Sequence, residues 1–233
     1  MRALAVVLAA GQGVRLGRDV PKGFVRLRGR SLLEWSAAAL ARAPEVEAVQ
    51  CVLPAGSDVD LVALRAALAG QAELLEPVSG GARRQDSVAR GLEAGRRARP
   101  DLDWVLVHDA ARCLVEPADA SAVLAAARAS GAALPVVPAS DTVKWLDGGR
   151  VGRTLERARI GLAQTPQAFR VATLREALEK AERDGFEGTD CASLVERLGV
   201  AVATSPGRTG NFKVTHPDDL ARAEAALAAR GAD

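Results

Sequence analysis

The chain has 233 residues, a formal net charge of +2 and a hydrophobic fraction of 48%. That suffices for one or two domains with a buried core, and the balanced charge speaks against a nucleic-acid or membrane-surface protein. Aromatic residues make up 3% and Tyr is absent, which leaves few platforms for stacking single-stranded bases. Cys51, Cys113 and Cys191 form no CxxC pair, so no zinc site is expected, and free thiols in a reducing cytosol are the simplest reading.

Leu4–Leu8 is a short apolar run suited to a central parallel strand. The apolar start from Ala3 to Ala10 has about the length of a signal-peptide core. It runs straight into a glycine loop, so a first buried strand is preferred. Ala9–Lys22 is that loop. Ser31 and Glu34 form a capping box for a helix over Leu32–Ala41. A strand is expected over Val46–Leu53, a helix over Asp58–Leu68, a short strand over Glu73–Glu76 and a helix from Arg83 to Arg97. Trp104–Val107 reads as a strand ending in His108-Asp109, Ala118–Ala129 as a helix stopped by Gly131, and Leu134–Val137 as a strand. This alternation predicts an α/β fold, a doubly wound, mostly parallel Rossmann-like sheet with helices on both faces.

Ser140–Gln167 breaks the rhythm. Two strand pieces, Thr142–Leu146 and Arg150–Leu155, flank Asp147-Gly148-Gly149, which is a hairpin signal. Lys144, Arg150, Arg153 and Arg157 make this hairpin too polar for a core, so a projecting β-hairpin arm over 140–160 is expected on a single domain spanning 1–233. Helices follow at Val171–Arg183 and Cys191–Leu198, then a strand at Val200–Ala203 and a helix at Pro217–Ala229. No segment reaches the roughly 20 apolar residues that span a bilayer.

The first chemical constellation is Ala9-Ala10-Gly11-Gln12-Gly13-Val14-Arg15-Leu16, with Pro21-Lys22 beyond it. Glycines directly after a strand let backbone N–H groups approach phosphate oxygens, and Arg15 and Lys22 bring charge suited to a triphosphate. The segment has neither the Gly-Lys-Ser/Thr ending of a P-loop nor the third glycine of the dinucleotide fingerprint. Alone, it reads equally well as an ordinary glycine turn. Asp109 closes a strand at the carboxyl end of the sheet, where ligands bind in open α/β folds; a helix cap is the other reading. Thr189 and Asp190 read as a helix cap or as a substrate contact. His108 is expected to be structural, His216 an exposed lead-in to the last helix, Trp35 and Trp145 packing residues, and Arg83, Arg90, Arg96 and Arg97 solvated.

Further segments recur in a fixed order. They are Gly80-Gly81-Ala82-Arg83-Arg84-Gln85-Asp86-Ser87, His108-Asp109-Ala110-Ala111-Arg112, Thr142-Val143-Lys144, Arg157, Thr165-Pro166-Gln167, Thr189-Asp190 and Asn211-Phe212-Lys213-Val214-Thr215. With the glycine loop they resemble the 2-C-methyl-D-erythritol 4-phosphate cytidylyltransferase family of the non-mevalonate isoprenoid pathway, from residue 3 to about 228. Ala82, Cys113, Cys191 and Gly210 depart from that pattern, where an acidic residue, a proline and two further acidic residues are usual.

The resemblance implies transfer of CMP from CTP to a polyol phosphate in the cytoplasm, with Mg2+ bridging phosphate oxygens. It implies catalytic roles for Arg15, Lys22, Arg157 and Lys213. Ala9, Ala10, Gly11, Gly13, Gly81, Ala82, Arg84 and Ser87 would bind the nucleotide. Asp109, Arg112, Thr142, Thr165 and Thr189 would bind the second substrate, and Asp109 is the candidate metal ligand. It also implies a homodimer through the 140–160 arm, which would carry Thr142 and Arg157 into the neighbouring subunit's site. The rivals are a ribitol 5-phosphate cytidylyltransferase, a nucleotidyltransferase for a sugar 1-phosphate or the molybdenum cofactor, and a non-catalytic nucleotide-binding module.

Overall fold

The computed structural model describes residues 1–11, 16, 20–57 and 59–231. One sheet runs through the molecule. Its main strands are β1 (Ala3–Leu8), β4 (Val46–Leu53), β5 (Glu73–Leu74), β7 (Trp104–Asp109), β8 (Ala132–Pro138), β11 (Gly161–Ala163) and β12 (Gln167–Arg170). They lie in the order β11-β8-β12-β7-β1-β4-β5. A further strand, β6 (Val78–Ser79), adds to β4, and β13 (Ala203–Pro206) adds to β8. β1, β4, β5, β6 and β7 are mutually parallel, whereas β12 is antiparallel to both β7 and β8. A two-residue ladder joins β2 (Arg26–Leu27) to β3 (Arg30–Ser31).

Alternation along β1 sends its side chains to two cores, as the two-residue period of a strand requires. Ala3, Ala5 and Val7 face one cluster, which also holds residues of α1 (Leu32–Ala41), α2 (Leu61–Leu68) and α4 (Pro117–Ser130). Leu4 and Val6 face the other, which holds residues of α3 (Arg84–Ala98), α5 (Val171–Arg183) and α6 (Cys191–Glu196). Full burial of side chains such as Leu33, Leu106 and Phe169 stabilises the fold by about 1.5–3 kcal/mol each. α7 (Pro217–Ala229) closes a third cluster with Leu32, Trp35 and Leu114.

The capping box of α1 is present: Ser31 Oγ accepts from Glu34 N, and Glu34 Oε2 accepts from Ser31 N. α5, α7 and β4 have the predicted bounds. The region after Pro138 differs. Instead of a helix following the hairpin directly, β11 and β12 return along β8, and β12 wedges between β7 and β8. Gln167-Ala168-Phe169-Arg170 is too short and too polar at its ends to announce a central strand. The strand expected at Val200–Ala203 lies instead at Ala203–Pro206. Val200 and Val202 pack on the core without pairing, and Pro206, lacking an N–H, is tolerated because β13 is an edge. The helix expected from Asp58 begins at Leu61 with Asp60 as its cap, and Asp58 itself lies outside the described residues.

β9 (Lys144–Asp147) and β10 (Arg150–Thr154) form the predicted hairpin, exposed along both strands. Trp145 is not the packing residue expected: it is 56% exposed, with the Arg153 guanidinium 5.6 Å from its ring centroid. Leu146 and Val151 are exposed beside it, because a two-stranded arm has no second layer of its own to bury them. Among the described residues no helix is long and apolar enough to cross a membrane.

Candidate active site

The strand order reverses at β1, which has β4 on one side and β7 on the other. The rule for open α/β sheets places ligands outside the carboxyl ends of the strands at such a point. A cavity of ≈ 310 Å³ lies there. Leu8 and Asp109, partners across the ends of β1 and β7, both line it. Ala9, Ala10 and Gly11 follow from β1, Ala110 and Ala111 from β7, and Lys22 and Gly23 come from the end of the first loop. Gly81, Ala82, Arg84 and Ser87 enter from the segment that opens α3, and Lys213 and Thr215 from the segment before α7.

The chain brings these pieces together closely. A Cβ on Gly80 would lie 2.4 Å from Ala10 Cβ and 2.8 Å from Ser87 Oγ, so only glycine lets the two loops touch. Gly81 N donates to Ser87 Oγ at 3.1 Å, which ties the turn to the first turn of α3. Arg83 stands at the N-cap position of that helix, where its backbone N donates to Asp86 Oδ2, and its guanidinium pairs with Asp86 and Glu182. It also lines the cavity, so the expectation that it is merely solvated fails. Arg90 reaches back to the Gly80 carbonyl at 2.7 Å, whereas Arg96 and Arg97 pair with Glu93 on the surface.

Asp109 is the electrostatic centre. Arg84 donates to its Oδ1 from Nε at 3.2 Å and from Nη2 at 2.9 Å, and Lys213 Nζ donates to its Oδ2 at 2.6 Å. The carboxylate side chain is 14% exposed. Burial opposes its ionisation, but the charges of Arg84 and Lys213 more than offset this and hold its pKa well below the usual carboxylate range. It is therefore ionised, and its oxygens are taken up by Arg84 and Lys213 and do not cap a helix. With four cationic side chains against one carboxylate on its wall, the cavity favours a polyanion.

Behind this wall, His108 is fully buried and its pKa is pushed down to about 4 by burial. Thr165 Oγ1 lies 3.0 Å from His108 Nδ1 and accepts from Asp109 N at 3.2 Å. Arg112 donates to the carbonyls of Asn211 and Ala163. Thr165 and Arg112 thus adjoin Asp109 without lining the cavity. Thr189 is exposed ahead of α6, and Asp190 caps that helix, accepting from Ser193 N at 2.9 Å; the cap reading holds for Asp190. Thr142 and Arg157 are exposed on the arm, where Arg157 donates to the Ser140 carbonyl, and neither lines this cavity within one chain. Arg15 and Gly13 lie outside the described residues. Sequence reasoning missed Gly23 and gave no site role to Ala110, Ala111 and Thr215, although these three stand in the quoted motifs; their places beside Lys22, Asp109 and Lys213 were the available signal.

Among the described residues no group of three or more His, Cys, Asp or Glu could hold a metal by itself. Mg2+ commonly takes one or two carboxylates and completes its shell with substrate phosphates and water. Asp109 is the one carboxylate among the described residues that line the cavity, which fits that pattern.

A family model described as 2-C-methyl-D-erythritol 4-phosphate cytidylyltransferase (IspD) matches residues 3–229. The bifunctional enzyme IspD/IspF of Bradyrhizobium sp. (strain ORS 278) is 44% identical over 230 residues, covering 98% of this chain and 57% of that protein. The chain thus spans a little over half the length of such curated relatives. The crystal structure of 2-C-methyl-D-erythritol 4-phosphate cytidylyltransferase from Thermus thermophilus is 41% identical, with a TM-score of 0.78 over 96% of this chain and 98% of that one. The Francisella tularensis 2-C-methyl-D-erythritol 4-phosphate cytidylyltransferase (IspD) is 27% identical, with a TM-score of 0.79 over 97% and 100% of the two chains. From the match over 3–229, with the cavity built from the segments that carry the resemblance, the chain belongs to the IspD family, the 2-C-methyl-D-erythritol 4-phosphate cytidylyltransferases.

Proposed function

We propose that the cavity binds CTP and transfers its CMP to 2-C-methyl-D-erythritol 4-phosphate, giving 4-diphosphocytidyl-2-C-methyl-D-erythritol and pyrophosphate. The observation that carries this reading is the Arg84–Asp109–Lys213 cluster at the carboxyl ends of β1 and β7, in a cavity that Lys22 and the Ala9–Gly11 loop also line. The nucleophile is a phosphate monoester, whose second pKa is about 6, so it is ionised at neutral pH and needs no general base. The barrier lies in bringing two anions together, and positioned cations lower it. Lys22, Lys213 and, by resemblance, Arg15 supply that charge. The turn Gly80–Ala82, held by Ser87, offers backbone groups to the cytosine. Arg84 neutralises Asp109 and orients it toward the substrates.

When bound, Mg2+ would supply charge neutralisation of the triphosphate, held by Asp109 and phosphate oxygens. We further propose that the chain acts as one domain and as a homodimer. Trp145, Leu146 and Val151 on the arm would be covered by a second copy, and Thr142 and Arg157 would serve the partner's cavity as phosphate contacts. Three buried free cysteines support a cytoplasmic setting. The test is pyrophosphate release from CTP, UTP and GTP with the methylerythritol phosphate. Preference for CTP and loss of activity in excess chelator are expected; equal turnover of all three nucleotides would refute the reading.

A further inference from the structure

Residues 207–216, between β13 and α7, form neither helix nor strand, yet they deliver Lys213 to Asp109. Their backbone groups must find partners outside regular structure. Gln164, 7% exposed at the end of β11, provides several. Its Nε2 donates to Arg208 O at 2.8 Å and to Asn211 O at 3.3 Å, while its Oε1 accepts from Arg208 N at 3.2 Å. This two-way pairing imitates a rung of a β-ladder. It requires close approach: a Cβ on Gly207 would lie 3.0 Å from Gln164 Oε1 and 2.9 Å from the carbonyl carbon of Val136. Asn211 Nδ2 then donates to Thr165 O at 3.0 Å, and Val214 N to Ala111 O at 2.8 Å. Lys213 lies between these last two tethers.

We propose that Gln164, which does not line the cavity, is a positioning residue that sets Lys213 by registering the 207–216 loop against β11. The proposal rests on the reading of the cavity as the cytidylyl-transfer site, and its first readout is independent of turnover. In Gln164→Met the side chain keeps its length but loses all three hydrogen bonds. Gly207→Ala pushes the same loop outward by a different route. In each full-length variant, acetylation of Lys213 by an N-hydroxysuccinimide ester is compared with that of Lys144 and Lys180 by peptide mass spectrometry.

Lys213 should become severalfold more reactive than in the parent protein while the two reference lysines stay unchanged. Turnover should fall roughly 10-fold or more, since ångström-scale misplacement of a catalytic group costs up to ~10²-fold. The double variant Gln164→Met/Lys213→Ala should be no slower than Lys213→Ala, because residues acting as a unit are not additive. Unchanged Lys213 reactivity in folded variants, or additive losses, overturns the proposal. Loss of folding in both variants overturns it as well, because the contacts would then hold the fold and not the lysine. A parent protein without cytidylyl transfer refutes the functional reading, whereas the change in Lys213 labelling still decides the role of Gln164.

Discussion

Asp109→Asn should separate the two jobs of the carboxylate. Asparagine is nearly isosteric and still accepts a hydrogen bond, so the change removes one negative charge and little else. Removing one partner of a buried ion pair costs about 3–5 kcal/mol. Here Arg84 is 27% and Lys213 41% exposed, so solvent screens both, the Lys213 pair to the level of a surface bridge worth under about 1 kcal/mol. A net loss of about 2–3 kcal/mol follows, or about 4–12 °C in Tm for a domain of this size. The opposite change is expected for anions. Arg84 and Lys213, no longer neutralised, should bind inorganic triphosphate more tightly in the absence of metal. Thermal melts with increasing triphosphate should therefore show a larger rise in Tm for the variant than for the parent. Turnover with CTP should be nearly abolished. A variant that melts with the parent protein, gains less from triphosphate and still turns over would refute the electrostatic account of the site.

Three further outcomes follow. His108 stays neutral in the folded chain down to about pH 4, whereas the unfolded chain takes up its proton below about 6.5. Stability should thus be complete above pH 6.5 and decline as pH falls toward 4, by up to about 3 kcal/mol. Urea denaturation should show a flatter profile in that window for His108→Asn, and an equal slope would refute it. Lys22→Ala and Arg15→Ala should stay folded by circular dichroism yet lose roughly 10²–10³ in rate; near-parent turnover would remove either assignment. Mixing inactive Lys22→Ala with inactive Arg157→Ala should restore activity to roughly half of the parent per heterodimer, from two-fold symmetry. Mixed dimers without activity, or a monomer at assay concentration, would end the shared-site proposal.

The parts of the fold that were legible in the sequence are those where local and tertiary demands agree. Ser31 and Glu34 announce α1 because both capping hydrogen bonds are local. Leu4–Leu8 announces a central strand because burial on both faces demands a continuous apolar run, and Val46–Leu53 does so although Glu47 and Gln50 interrupt its apolar residues. β12 was not legible, since its place between β7 and β8 depends on pairing with distant strands and only Ala168 and Phe169 are apolar within it. The cavity was legible where motifs flank strand ends, at Ala9–Gly11, Gly81–Ser87, Asp109 and Lys213. The Arg84–Asp109 and Lys213–Asp109 pairs were not, because they join residues 25 and 104 positions apart. The supporting contacts of Gln164 were hidden for the same reason.

The most direct test of the proposed activity is product analysis with CTP, Mg2+ and a panel of polyol phosphates. Phosphorus NMR and mass spectrometry should show pyrophosphate and 4-diphosphocytidyl-2-C-methyl-D-erythritol in equal amounts, with the highest kcat/KM for 2-C-methyl-D-erythritol 4-phosphate. An equal or higher kcat/KM for ribitol 5-phosphate, or nucleotide binding without pyrophosphate release, would contradict it.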